Sequence, residues 1–181
     1  LRAEIRDIQR KLGMTTVFVT HDQEEALSMS DRVVVMNGGR AEQVGAPFQI
    51  YNQPHTRFVA NFVGTLNTLS AVVVSPEAGT VEVAGQVVTL AKAPIPAGKG
   101  DRVTLALRPE AVRFGREAGR EVVLPATIAE VHFLGSVIRL TVDVDGTMVA
   151  LDTFNRPDQP PPSIGLASEI SFAAADVILL P

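Results

Sequence analysis

The sequence predicts an α+β chain in two parts: an α/β segment over residues 1–64, then an all-β small barrel or sandwich over residues 65–181. Three observations carry that prediction. In the first part apolar residues recur at helical spacing and then form a short run that is apolar on both faces. The second part holds eight strand-like runs punctuated by glycine turns. Charge also changes: residues 1–64 carry 7 basic and 7 acidic side chains, whereas residues 65–181 carry 9 and 13. Gly64 and the polar Thr65, Asn67 and Thr68 mark the expected boundary.

Leu1, Ile5, Ile8 and Leu12 recur at spacings of four, three and four residues, the stripe of an amphipathic helix, and Gly13 is its expected stop. Thr15–Thr20 is β-branched and does not alternate, which predicts a strand covered on both sides, as in a parallel sheet between helices. His21 follows it. Asp22 is placed to cap the next helix, with Glu25 three residues on to complete a capping box. Ser30 and Asp31 end that helix. Arg32–Met36, the turn Asn37-Gly38-Gly39 and Arg40–Val44 predict a hairpin. Pro47 opens a further helix that Pro54 closes. Phe58, Val59, Phe62 and Val63 form one more helical face, read as core or interdomain packing.

In the second part the expected strands are Leu69–Val74, Thr80–Val83, Gln86–Leu90, Arg102–Leu107, Val122–His132, Ser136–Val144, Thr147–Leu151 and Ser168–Phe172. Asp145-Gly146 between two alternating runs is the strongest hairpin signal. Residues 155–163 (NRPDQPPPS) read as a surface loop.

Composition narrows the function. Apolar residues are 46% of the 181 and charged residues 20%, values of an ordinary globular chain rather than a disordered one. The apolar run from Phe172 to Leu180 is interrupted by Asp176 and is too short to span a bilayer, so no direct membrane insertion is expected. The absence of Cys excludes disulfides, Cys-based zinc sites and thiol catalysis. A net charge of -4, no Trp and one Tyr disfavour nucleic acid as a partner. Leu1 is not Met and no signal-peptide pattern follows it, so the chain is expected to begin within a domain.

Among candidate chemical groups, His21 stands out by position. It follows the expected buried strand and precedes a capped helix, the place where α/β sheets put their ligands. Two readings stay open there: an imidazole that contacts a phosphate oxygen or its attacking water, and one that packs or caps at a corner. The remaining candidates read as structural. Glu24 and Glu25 are adjacent on a helix and do not converge. His21, His55 and His132 share no metal-ligand spacing, so no metal site is expected. Asp31 reads as a turn cap, and Arg108 with Glu110 as an ion pair around Pro109.

The run VFVTHDQEEALSMSDRVVVMNGGRAEQVGAPFQIYNQPHTRFVANFVG closely resembles the end of the nucleotide-binding domain of ABC transporter ATPases, in the subfamily of sugar, polyamine and iron importers. The resemblance implies that His21 is the switch histidine, contacting the γ-phosphate of ATP in the intact subunit. Leu107-Arg108-Pro109-Glu110 and His132-Phe133-Leu134-Gly135 resemble stretches of the TOBE domain, an OB-like regulatory barrel that follows the ATPase. Residues 1–64 are then the C-terminal remnant of the ATPase and residues 65–181 the barrel.

The chain departs from the family in what precedes. It contains no G-x-x-x-x-G-K-[ST]; around Gly98-Lys99-Gly100-Asp101 the upstream glycine is replaced by Ala93, and Gly100 stands where Ser or Thr is required. The signature motif and the Walker B carboxylates are likewise missing. The resemblance therefore implies ATP and Mg as cofactors of the intact subunit, none bound to this fragment, and no hydrolysis by the fragment alone. It implies a motor that couples ATP hydrolysis to solute uptake, peripheral on the cytoplasmic face of the cell membrane, with permease subunits and a second copy of itself as partners. The unpartnered Val17-Phe18-Val19 and Val33–Met36 runs also predict self-association as a homodimer. The rival reading is a non-enzymatic ligand-binding or dimerisation barrel.

Overall fold

In the computed structural model the chain divides into two compact units after Gly64. The structure describes residues 1–180; Pro181, the last position of the expected barrel, lies outside the described residues.

The first unit opens with α1 (Arg2–Leu12), which Gly13 ends in a left-handed conformation at φ 62°. Its expected stripe is present, but Ile5, Ile8 and Leu12 are exposed. Residues 14–20 form no strand. Val17 and Val19 are 88% and 92% exposed, which corrects the expected Thr15–Thr20 strand. The reason is physical: a doubly covered strand needs neighbours on both edges, and no described segment pairs with this one. Helix α2 (Gln23–Met29) follows. Strands β1 (Val33–Asn37) and β2 (Arg40–Gly45) then form an antiparallel hairpin, closed by Gly38 and Gly39 at φ 56° and 77°. It is the only sheet of this unit among the described residues.

Helices α3 (Pro47–Asn52) and α4 (Arg57–Phe62) complete the unit. Thr56 Oγ1 caps α4 by accepting the Val59 N–H at 3.2 Å. A small core gathers Val33, Val35, Ile50, Val59 and Val63, with Ala26, Leu27, Tyr51 and Phe58 packed against it. The rings of Phe58 and Phe62 stack with centroids 5.4 Å apart. The loop between α3 and α4 is fastened by buried Gln43, whose amide donates to Gln53 O at 3.0 Å and accepts His55 N–H at 2.8 Å.

The second unit is built from two five-stranded sheets. One contains β3 (Asn67–Ser75), β4 (Thr80–Val83), β5 (Gln86–Thr89), β6 (Arg102–Leu107) and β12 (Ile178–Leu180), in the order β12-β6-β3-β4-β5. The other contains β7 (Arg113–Phe114), β8 (Val122–Phe133), β9 (Val137–Val144), β10 (Thr147–Phe154) and β11 (Ala167–Phe172), in the order β10-β9-β8-β11-β7. All pairings are antiparallel.

Strict alternation explains why the two sheets share a core. Leu69, Ala71 and Val73 of β3 face inward, as do Ile138, Leu140, Val142 and Val144 of β9. These meet Leu105, Leu107, Leu124, Ile128, Ile170 and Phe172 in one continuous cluster. The expected all-β character of this half is present. The strands β7 and β12 were not expected, being too short to show a period. Strand β10 runs to Phe154 rather than Leu151: its ladder with β9 continues through Asp152↔Arg139 to Phe154↔Val137, and Arg139 donates to Asp152 across it at 2.9 and 3.1 Å. No helix among the described residues is long and apolar enough to cross a membrane.

Candidate functional site

The chemistry-bearing residues of the first unit meet between residues 20 and 25. Asp22 Oδ1 accepts the backbone N–H groups of Glu24 and Glu25 at 2.9 and 3.3 Å and so caps α2 as the sequence predicts. The expected capping box is not completed by Glu25. Instead the Thr20 hydroxyl accepts the Asp22 N–H at 3.0 Å and donates to Glu25 Oε2 at 2.7 Å. A threonine hydroxyl beside the bend satisfies the orphan donor that a glutamate would otherwise reach back for.

His21 lies at the bend held by this network. It is exposed, and among the described residues no hydrogen bond or ion pair engages its imidazole. Arg2 of α1 reaches across to Asp22, Glu24 and Glu25 at 3.1, 3.8 and 3.3 Å, bringing one positive charge to three carboxylates. Arg6 pairs with Asp31 through contacts of 2.5 and 3.2 Å, and this guanidinium holds the Asp31 carboxyl below the usual aspartate range. Asp31 is thus fastened to α1, a role its sequence neighbourhood did not disclose.

Gln23 makes a further contact that the sequence reading missed. Its side-chain amide donates to Phe62 O, and its Oε1 accepts the Gly64 N–H at 2.6 Å. The first turn of α2 is therefore fastened to the last residues of the unit.

The structure does not bring the histidines together. His55 is exposed in the loop between α3 and α4, and His132 is exposed near the end of β8, 3.5 Å from Glu130. No cluster of His, Asp and Glu suited to a metal is found among the described residues. Glu24 points to solvent with Arg2 as its partner. Arg108 is buried and donates to Thr65 O at 3.1 Å, a structural use of its charge. In the second unit a shallow cleft of about 190 Å³ is lined by residues that include Ser70, Arg102, Asp145 and Thr147. None of the residues expected to act lies in it.

Comparison with known proteins places these features. Residues 105–180 match the TOBE domain. A spermidine/putrescine import ATP-binding protein PotA of Lawsonia intracellularis is 42% identical over 166 residues, covering 87% of this chain and 45% of its own length. PotA of Pseudomonas fluorescens is 38% identical, covering 99% of this chain and 50% of its own. The sulfate/thiosulfate import ATP-binding protein CysA 2 of Chromobacterium violaceum is 46% identical over 149 residues, 81% of this chain and 39% of its own. The chain spans about half the length of the curated relatives it matches.

Among solved structures, the cytoplasmic molybdate-binding protein ModG with molybdate bound aligns with a TM-score of 0.53 at 13% identity. The alignment covers 71% of this chain and 99% of that one, a likeness of fold alone. These relatives, each matched over at most half of its own length, and the domain matched over residues 105–180 make this chain similar to the C-terminal, TOBE-containing part of ABC importer ATP-binding subunits.

Proposed function

We propose that this chain works within an intact ATP-binding subunit that powers solute import. Residues 1–64 are then the C-terminal remnant of the nucleotide-binding domain, and residues 65–181 are its OB-like TOBE regulatory barrel. His21 is the residue that senses the γ-phosphate. The observation that supports this most directly is the state of its imidazole: exposed, unengaged, and carried on a bend that Thr20, Asp22 and Glu25 hold in place. A neutral or protonated imidazole presented this way can donate to a phosphate oxygen without first breaking an internal bond.

The residues present do not by themselves build a nucleotide site. There is no glycine-rich phosphate loop in the sequence and no carboxylate cluster for Mg among the described residues. ATP and Mg, which would supply the phosphoryl group and its charge neutralisation, belong in this reading to the complete subunit. His21 contributes one contact there. The subunit acts as a homodimer against permease components, from the cytoplasmic face of the membrane.

Two measurements test the proposal. In the intact subunit, His21→Ala is expected to lower ATP hydrolysis by about 10²-fold or more while nucleotide binding persists. Unimpaired hydrolysis would overturn the assignment. Titration of the 181-residue chain with ATP is expected to show no saturable binding below millimolar concentration; tight binding would overturn the account of an incomplete site.

A second reading has one observation in its favour, the fold shared with a molybdate-binding barrel. In that reading the second unit binds a small oxyanion without any motor. Calorimetric titration of the chain with molybdate and sulfate separates the two, since heat of saturable binding is expected only under the second.

A further inference from the structure

The Gln23 clasp carries a consequence beyond the assignment of His21. Val63 is extended, with φ -99° and ψ 113°, so Phe62 O and Gly64 N–H project to the same side of the chain. A side-chain amide is complementary to that pair, offering one donor and one acceptor in a plane. Gln23 meets both, across 39 and 41 residues of sequence. The other end of the connection is equally fixed. Gln23 is the first residue of α2, and the capping bonds of Asp22 and the Thr20–Glu25 bond tie it to the bend that carries His21.

We propose that Gln23 is a positioning residue that couples the His21 bend to the stem at Phe62–Gly64, from which the chain continues into the barrel unit. The inference rests on the reading of His21 as the phosphate-sensing residue. A displacement of the bend when His21 engages a phosphate is passed to residues 62–64 because the segment between is a closed hydrogen-bonded unit. Only glutamine satisfies the geometry: glutamate would set an oxygen against Phe62 O, and asparagine is one methylene short.

The test is hydrogen exchange at the Gly64 amide in the intact subunit, read by mass spectrometry with fragmentation, with and without Mg and a non-hydrolysable ATP analogue. The wild-type subunit is expected to change its Gly64 exchange rate at least threefold on adding the analogue. Gln23→Ala and Gln23→Asn are expected to raise the nucleotide-free rate about tenfold, the loss of one hydrogen bond at the upper end of its usual worth, and to abolish the response. A clasp that is merely structural would be lost in these variants without any nucleotide dependence in the wild type. Wild-type exchange indifferent to the analogue, or a response retained in Gln23→Ala, would overturn the coupling. His21→Ala, run in parallel, separates the two ideas: hydrolysis lost in that variant beside a wild-type Gly64 indifferent to the analogue defeats the coupling alone, whereas unimpaired hydrolysis in the variant defeats the reading beneath it.

Discussion

The side-chain amide of Asn67 pairs with both backbone groups of Ala150, donating to its carbonyl at 2.7 Å and accepting its N–H at 2.9 Å. Asn67 begins β3 in one sheet of the second unit, and Ala150 sits on β10, the outer strand of the other. One buried amide therefore takes the place of a missing neighbour strand and ties the two sheets together at that edge.

Replacing Asn67 with Ala leaves a donor and an acceptor of half-buried Ala150 without partners. The second unit is expected to lose about 1–3 kcal/mol, the usual cost of stranding such groups. Asn67→Asp keeps the acceptor but sets a carboxylate against the Ala150 carbonyl, and should be at least as damaging near neutral pH. Urea unfolding followed by a probe in the β-strands measures both, and an unchanged midpoint would refute the role given to the amide.

The hairpin between β9 and β10 makes a separate prediction. Asp145 and Gly146 adopt φ 50° and 87°, and the Gly146 N–H donates to Asp143 Oδ1 at 2.7 Å. No atom lies within 4 Å of the place a Cβ would occupy at Gly146, so backbone strain alone would oppose a side chain there. Gly146→Ala is expected to cost about 1–2 kcal/mol, and Asp145→Gly far less. Thermal unfolding of the two variants side by side checks the difference.

What the sequence disclosed and what it hid follow one physical line. Strands β4 and β6 begin and end at the residues their alternation predicts, and α1 ends at Gly13, because those signals are local. Asp22 as a cap and His21 at the bend before it were legible for the same reason. The amide clasps of Gln23, Gln43 and Asn67 were not, since their partners lie 10 to 83 residues away and no pattern near the amide announces them. Thr15–Thr20 shows the converse failure. Its composition favours a strand, but a strand exists only with partners, and no described segment supplies them. Sequence likewise placed the second half among small all-β folds without showing that β7 and β12 complete its two sheets.

Stability of the second unit should depend on acid. Glu121 accepts the Ala174 N–H at 2.9 Å, and this bond, followed by one to its own backbone, holds its carboxyl below the ordinary glutamate range. A folded-state pKa that is depressed stabilises above the unfolded value, and the contribution is lost as pH falls through the folded one. Glu169, held down by its hydrogen bond to Arg116, acts in the same direction. Unfolding midpoints measured downward from pH 6 are therefore expected to fall most steeply below about pH 4.3, the ordinary glutamate value. Glu121→Gln, which can still accept from Ala174 but carries no charge, should flatten that fall without removing it. A wild-type and variant pair with parallel profiles would contradict the assignment.

The exposed segment before His21 sets the behaviour of the chain in solution. Val17 and Val19 are nearly fully exposed and Phe18 is half exposed, in a run rich in β-branched residues whose backbone groups have no ladder partner. Water is a poor neighbour for that surface, and a second extended segment satisfies both its apolar side chains and its free N–H and C=O groups. The 181-residue chain is therefore expected to associate with itself through residues 15–20 at micromolar concentration. Val17→Lys with Val19→Lys adds two like charges to each copy and should shift the chain toward monomer in light scattering. Because these side chains lie outside both apolar cores, the unfolding midpoint of either unit should stay within about 0.5 kcal/mol of wild type. A monodisperse monomer before substitution would exclude this route of association, and an association that survives the two lysines would move it to another surface.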